Sequence, residues 1–319
     1  MKKTFLLFYF MSLIFVGANS QTTVRFMPHW LHQAQFSGIY MAYEKGIYDK
    51  YGLDVKVLDG GPLAPMSSAF VNNGADFGTM FLSGAIELRD EVVDIINICQ
   101  LSQKSALMFV TKKTSNIIRV EDFNGKKIGI WRSDFRELPM AFIDKFNIDA
   151  EIFPITSTID LFLDDGVDIM CVMWYNEYDQ IYHAGIDYED LNTFFFFDYN
   201  LNFPEDGIYC TEEFFNQNPG ICSDFVKATI EGWQYAFDHP DETIDVVLMY
   251  MKSRNIPANR AHQEWMLSII EKVFVAENGS ISGDLKEEDF LKTSQILIQS
   301  GSINLMPVFE EFIGKKKHE

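Results

Sequence analysis

Residues 26–57 constrain the fold of this 319-residue chain more than any other stretch. The short apolar run 24–27 reads as a strand. A loop dense in aromatic and amide groups follows, with His29, Trp30, His32, Gln33 and Gln35 crowded into seven positions. Phe36, Ile39, Tyr40 and Tyr43 then recur at helical spacing, and Gly46 stands near the helix end. After the turn at Tyr51-Gly52, residues 54–57 alternate like a strand. A strand–helix–strand unit of this kind builds parallel sheet, and its loop belongs at the carboxyl end of a strand, where α/β folds place ligands. The same residues also suit an amphipathic helix with ordinary surface amides, and the pattern alone leaves both readings open.

The alternation continues. Strands are expected at 79–82, 95–101, 106–110, 127–131, 152–155 and 167–173, and a further buried one at 194–197. Helices are expected at 65–71, from Ser83 to Arg89, at 138–146 and at 158–163. Alternating strands and helices imply parallel α/β layers. One motif occurs twice: a helix, then G-A-D-F-G-T-M-F from Gly74, and a helix, then G-V-D-I-M-C-V-M-W from Gly166. Two copies point to two similar lobes rather than a solenoid. From Thr211 onward the pattern turns helical, with helices expected at 224–239, 241–252 and 286–300 and a capped segment after Pro257.

Composition narrows the function. Residues 1–20 read as an export signal: Lys2 and Lys3, an apolar stretch 5–16, and a small-x-small site at Ala18-Asn19-Ser20 that makes Gln21 the expected mature start. The apolar stretch is shorter than the roughly 20 residues of a membrane span. Losing those two lysines takes the net charge of −20 to −22. Such charge disfavours nucleic acid and anionic membrane as partners. Cys99, Cys171, Cys210 and Cys222 are scattered without CxxC spacing, which argues against a zinc site. Neither metal nor cofactor is expected. Cys210 and Cys222 lie near enough in sequence to pair, although buried free thiols are the preferred expectation.

The cleft-edge segments supply the candidate binding residues. Trp30, Gln33 and Gln35 offer a flat apolar face with orienting amides, as a planar heterocycle requires. Met80, Phe81 and Ser83 end a strand at the same edge, and Ser83 could donate at a helix start. Trp131 ends a strand of the second lobe, before a turn through Arg132, Ser133, Asp134 and Phe135. Trp174, Tyr175, Asn176 and Glu177 set aromatic, amide and carboxylate side by side, and a carboxylate can hold an exocyclic amine. They also suit a capped helix start. Glu205 and Asp206 fall where the chain returns to the first lobe and suit cleft contact or a hinge turn equally. Asp206 joins the expected ligand contacts.

These motifs together resemble a known family. The run from Gln33 to Val55 is very similar to the start of the thiamine-pyrimidine-precursor branch of ABC-transporter substrate-binding proteins. The likeness continues through G-G-P at Gly60, N-G-A-D-F-G at Asn73, D-F-N-G-K-K-I-G-I-W at Asp122, M-W-Y-N-E-Y at Met173, E-D-G-I-Y-C at Glu205 and G-W-Q-Y-A-F at Gly232. It covers about residues 24–250. The resemblance implies a two-lobed α/β periplasmic binding protein type II fold, each lobe a mixed, mostly parallel sheet flanked by helices. Residues 22–104 with 205–319 would form lobe I and 105–204 lobe II, hinged near 102–108 and 200–210. It also implies delivery of a small planar heterocycle, a thiamine pyrimidine precursor ahead of riboflavin, to an ABC permease outside the cytoplasm. More distant branches take sulfonates and nitrate. An enzyme with this fold, thiamine pyrimidine synthase, is the alternative. Its pyridoxal-binding lysine and sacrificed histidine would fall at Met80 and Gly84, which offer neither amine nor imidazole, and its cysteine-rich iron motif would fall near 201–207, where no cysteine stands.

Overall fold

A computed structural model describes residues 21–132, 135–156 and 158–314. The expected export signal, Ser133, Asp134 and the tail beyond Gly314 lie outside the described residues. Ten strands form two five-stranded sheets. The first sheet holds β1 (Thr22–Met27), β2 (Leu53–Val57), β3 (Phe77–Met80), β4 (Ile95–Gln100) and β10 (Gly207–Thr211) in the order β2-β1-β3-β10-β4. The second holds β5 (Leu107–Lys112), β6 (Lys127–Trp131), β7 (Glu151–Ile155), β8 (Ile169–Met173) and β9 (Leu191–Phe195) in the order β7-β6-β8-β5-β9. In each sheet the first three strands are parallel, and β10 or β5 runs antiparallel to both neighbours. The central strand β8 is buried throughout, as its unbroken apolar run Ile-Met-Cys-Val-Met requires.

The repeated Gly-x-Asp motif has a structural cause. Asp76 precedes β3 and its carboxylate accepts the Arg25 backbone N–H at 2.7 Å. Asp168 precedes β8 and accepts the Lys127 N–H at 2.9 Å in the same way. Each aspartate also donates its own backbone N–H to the same partner residue. The motif therefore fixes the register of the second and third strands in each sheet's order, and the two sheets are copies of one plan.

Helices follow the expected positions with shifts at their ends. The helix expected at 224–239 begins at Pro219 and runs as Pro219–Asp238, because proline fits the first helical position, where no N–H partner exists. The capped segment after Pro257 is the helix Arg260–Phe274, with the Asn259 side chain accepting the Ala261 N–H. The run expected as strand 194–197 is strand only to Phe195, after which a 3-10 turn, Phe196–Tyr199, ends on Asn200 at φ 59°. Asparagine tolerates that left-handed backbone. The helix Pro219–Asp238 covers the first sheet: Phe225 stacks on Phe77 at 4.1 Å. It also crosses the helix Ser37–Glu44 at Gly232 and Gly38, where a Cβ on Gly232 would stand 2.2 Å from the Gly38 carbonyl oxygen.

The chain passes between the sheets twice, just before β5 and just before β10. The two passages lie side by side. The N–H groups of Leu101 and Ser102 donate to the Asp206 carbonyl at 2.9 and 3.1 Å. The Glu205 carboxyl accepts Ser105 Oγ at 2.5 Å and the Ala106 N–H at 2.9 Å. Cys210 and Cys222 are buried free thiols with their sulfurs 4.0 Å apart.

Candidate functional site

The carboxyl ends of β1, β3, β6 and β8 face one another across the two sheets. Eleven residues from these ends enclose a space of about 30 Å³: His29, Trp30, Gln33, Gln35, Phe81, Trp131, Phe135, Met173, Tyr175, Asn176 and Glu177. That is room for about one water molecule. Eight of the expected contacts are among them: Trp30, Gln33, Gln35, Phe81, Trp131, Tyr175, Asn176 and Glu177.

Four expected contacts stand elsewhere. Met80 points away from the cleft, because side chains alternate along a strand. It packs against the cluster of the first sheet that holds Met27, Met66 and Phe70, while its neighbour Thr79 bonds the cleft-lining His29. Ser83 is buried inside the first turn of the helix Leu82–Glu91. Trp174 turns outward, edge-on to Phe195 at 5.1 Å with Lys272 over its ring. Asp206 lies behind the wall, where Gln35 Nε2 donates to its Oδ1 at 2.9 Å. Asp206 therefore does not line the cleft: its backbone joins the two passages and its side chain holds Gln35 from behind.

A chain of rings links the sheets. His29 meets Phe81 at 5.0 Å, Phe81 meets Phe135 at 4.7 Å, and Phe135 meets Trp131 at 5.4 Å. The Trp131 indole donates to the Cys171 carbonyl at 3.2 Å, which fixes its plane. A polar line runs beside the rings. Gln33 Nε2 donates to Gln35 Oε1 at 2.7 Å, and Gln35 Nε2 reaches the Tyr175 hydroxyl at 3.1 Å, bridging the two sheets. Glu177 is 1% exposed. Its carboxyl accepts the Met173 N–H at 3.0 Å and the Asn176 amide at 2.7 Å.

Burial sets the protonation of these groups. It pushes Glu177 up to about 6, tempered by the donors it accepts from. It pushes Asp206 up to about 7 and Glu205 up to about 8. It pushes His29 down to about 3, so this imidazole is neutral at physiological pH, in contact with Thr79 Oγ1 at 2.8 Å.

His29, Phe135 and Met173 were not among the expected contacts. Phe135 lies beyond an irregular turn that spacing cannot orient. His29 stands two residues past the end of β1 and Met173 ends β8, and that position was the available signal. Chemically, the site offers flat apolar faces, amides and a buried carboxyl. No lysine or arginine stands among the described residues that line it. Such a wall suits a planar ligand that donates hydrogen bonds and does nothing to neutralise an anion.

Comparison with known proteins shows what the chain resembles. The chain is 24% identical over 246 residues to the riboflavin-binding protein RibY of Chloroflexus aurantiacus, spanning 73% of this chain and 68% of that one. It is 22% identical over 281 residues to the formylaminopyrimidine-binding protein of Halalkalibacterium halodurans, spanning 82% and 80%. Among solved structures, the periplasmic aliphatic sulphonate-binding protein SsuA of Escherichia coli superposes with a TM-score of 0.71 at 12% identity, covering 93% of this chain and 97% of that one. A Candida albicans gene product with the generic periplasmic binding protein fold gives 0.60 at 13% identity, covering 92% and 94%. These likenesses show the periplasmic binding protein fold. The family described as NMT1/THI5 like matches residues 33–243, well over half of the sequence, and the chain belongs to that family.

Proposed function

We propose that the protein is an exported substrate-binding protein that captures a small planar heterocycle and delivers it to an ABC permease. The observation that carries this reading is the pocket wall itself: Trp131, Phe135 and Phe81 beside the buried Glu177 carboxyl, with no lining cation. A thiamine pyrimidine precursor is the favoured ligand, because its exocyclic amine can donate to Glu177. Riboflavin is second, supported by the named activity of one relative. A larger flavin requires more room than a pyrimidine, and the enclosed space of about 30 Å³ is far below the roughly 300–1,000 Å³ of ordinary ligand pockets. Either ligand enters by separation of the two sheets. Residues 22–104 with 205–319 would move as one lobe and 105–204 as the other, with the passages joined by Glu205 and Asp206 as the hinge.

The relatives named as binding proteins favour binding over synthesis, as do Met80 and Gly84 at the positions where the synthase needs lysine and histidine. The test is thermal unfolding of the protein starting at Gln21 with pyrimidine, flavin and alkanesulfonate ligands. A ligand at 100 times its Kd adds about 2.7 kcal/mol. Stabilisation by the aminopyrimidine is expected. Stabilisation by the sulfonate alone, or by none of them, would reject the reading.

A further inference from the structure

We propose that Asp179, His183 and His262 form a binding site for a divalent cation of the zinc type, which bridges the two halves of the molecule beside the cleft. The three residues are 83 positions apart at their extremes, and only the fold brings them together. Asp179 and His183 stand four apart on the helix Glu177–His183, after the second sheet's central strand. His262 is on the helix Arg260–Phe274, which packs on the turn Ala34–Phe36 and the helix Pro219–Asp238 of the first sheet's side.

Their candidate ligand atoms lie within 4.8 Å of one another. Asp179 Oδ2 is 2.6 Å from His262 Nδ1 and 3.1 Å from His183 Nδ1. A tetrahedral zinc ion with bonds of about 2.0–2.1 Å holds its ligands about 3.3 Å apart, so small outward shifts make room for it. Two imidazole nitrogens and one carboxylate oxygen are a three-ligand set that leaves a fourth position for water. An open cavity of about 510 Å³, bordered by Gln180, His183, Asn259, His262 and Gln263, adjoins the two histidines.

The surroundings orient the ligands as metal sites do. The Tyr188 hydroxyl donates to the other Asp179 oxygen, Oδ1, at 2.6 Å. Asn176 donates its amide N–H to Glu177, so its Oδ1 is an acceptor, and it stands 3.1 Å from His262 Nε2. The Nε2–H therefore donates to that oxygen, which leaves Nδ1, 2.6 Å from Asp179 Oδ2, as the nitrogen that would bind a cation. His183 Nδ1 also lies 2.9 Å from the Asp179 carbonyl oxygen, a hydrogen bond that metal binding replaces. The cation takes a lone pair from each Nδ1, and each imidazole binds as the neutral tautomer that carries its proton on Nε2. Because the ligands come from both sides of the cleft, the bound ion holds the cleft shut.

Tag-free protein is titrated with Zn²⁺ by calorimetry, and with Co²⁺ by visible absorption. The expected result is one equivalent bound, a tetrahedral cobalt band, and loss of both in His183→Ala and His262→Ala. His183 is exposed, so its replacement tests the site without a folding cost. Binding that persists in both variants, or no saturable binding in the wild type, would overturn the proposal. Neither result depends on which molecule the cleft takes.

Discussion

Gly232→Ala tests the packing that holds the cleft's first wall in place. A Cβ at this position would lie 2.2 Å from the Gly38 carbonyl oxygen, 2.6 Å from Ala42 Cβ and 2.9 Å from the Ala42 nitrogen. Ordinary carbon–oxygen contacts begin near about 3.3 Å, so the helices Ser37–Glu44 and Pro219–Asp238 must part by about 1 Å. Two of the three opposing atoms are backbone and cannot swing aside. Overpacking of this kind costs about 1–3 kcal/mol, and rigid backbone on both sides places this site at the upper end. Alanine returns about 1 kcal/mol of helix propensity. The net loss is about 2 kcal/mol, or a fall in Tm of roughly 4–8 °C by the scaling for domains of 150–250 residues. The same shift displaces the turn Ala34–Phe36, which carries Gln35, so ligand affinity falls as well. Gly220→Ala is the control. It lies in the first turn of the same helix with nothing within 4 Å of its would-be Cβ, and it should be neutral or stabilising by up to about 1 kcal/mol. Equilibrium urea unfolding and thermal scans of both variants read the difference. A Gly232→Ala protein as stable as wild type, or equal losses at both sites, would refute the close-crossing argument.

Two further outcomes follow from the buried polar groups. Asp206 and Glu205 have folded-state values raised to about 7 and about 8, so the folded chain holds protons that the unfolded chain has released. Their contribution is complete below the unfolded carboxyl range and is lost as pH rises through 7 and 8. His29, lowered to about 3, acts oppositely only below about 6.5. The urea midpoint should therefore fall between about pH 6.5 and 8, with a shallower fall in Glu205→Gln; a flat or rising profile contradicts the assignment. Gln35→Ala removes the donor to Tyr175 and Asp206 and should destabilise by about 1–3 kcal/mol while weakening ligand binding, and a loss below about 0.5 kcal/mol would show that this bridge does not join the sheets.

Much of the architecture was legible in local pattern. The doubled Gly-x-Asp motif announced two similar sheets because Asp76 and Asp168 each fix one strand register. Strand ends rich in aromatic and amide groups marked the cleft, since parallel sheets place their ligands there. Side-chain direction was less legible. Met80 and Trp174 sit one residue from true lining positions, and a single step along a strand or turn reverses the face presented. Long-range meetings were invisible. His262 reaches Asp179 only because the helix after Asn259 folds back across the cleft, and Asp206 reaches Gln35 across 171 positions. No local spacing encodes such contacts.

The central claim is that the cleft recognises a hydrogen-bond-donating planar ring through Glu177. Calorimetric titration of the wild type and of Glu177→Gln with an aminopyrimidine precursor of thiamine tests it directly. A hydrogen bond to a charged group is worth about 1.5–3 kcal/mol, so one-to-one binding in the wild type should weaken about tenfold or more in the variant. Equal affinity in the two proteins, or heat from the wild type only with an alkanesulfonate, would contradict the account.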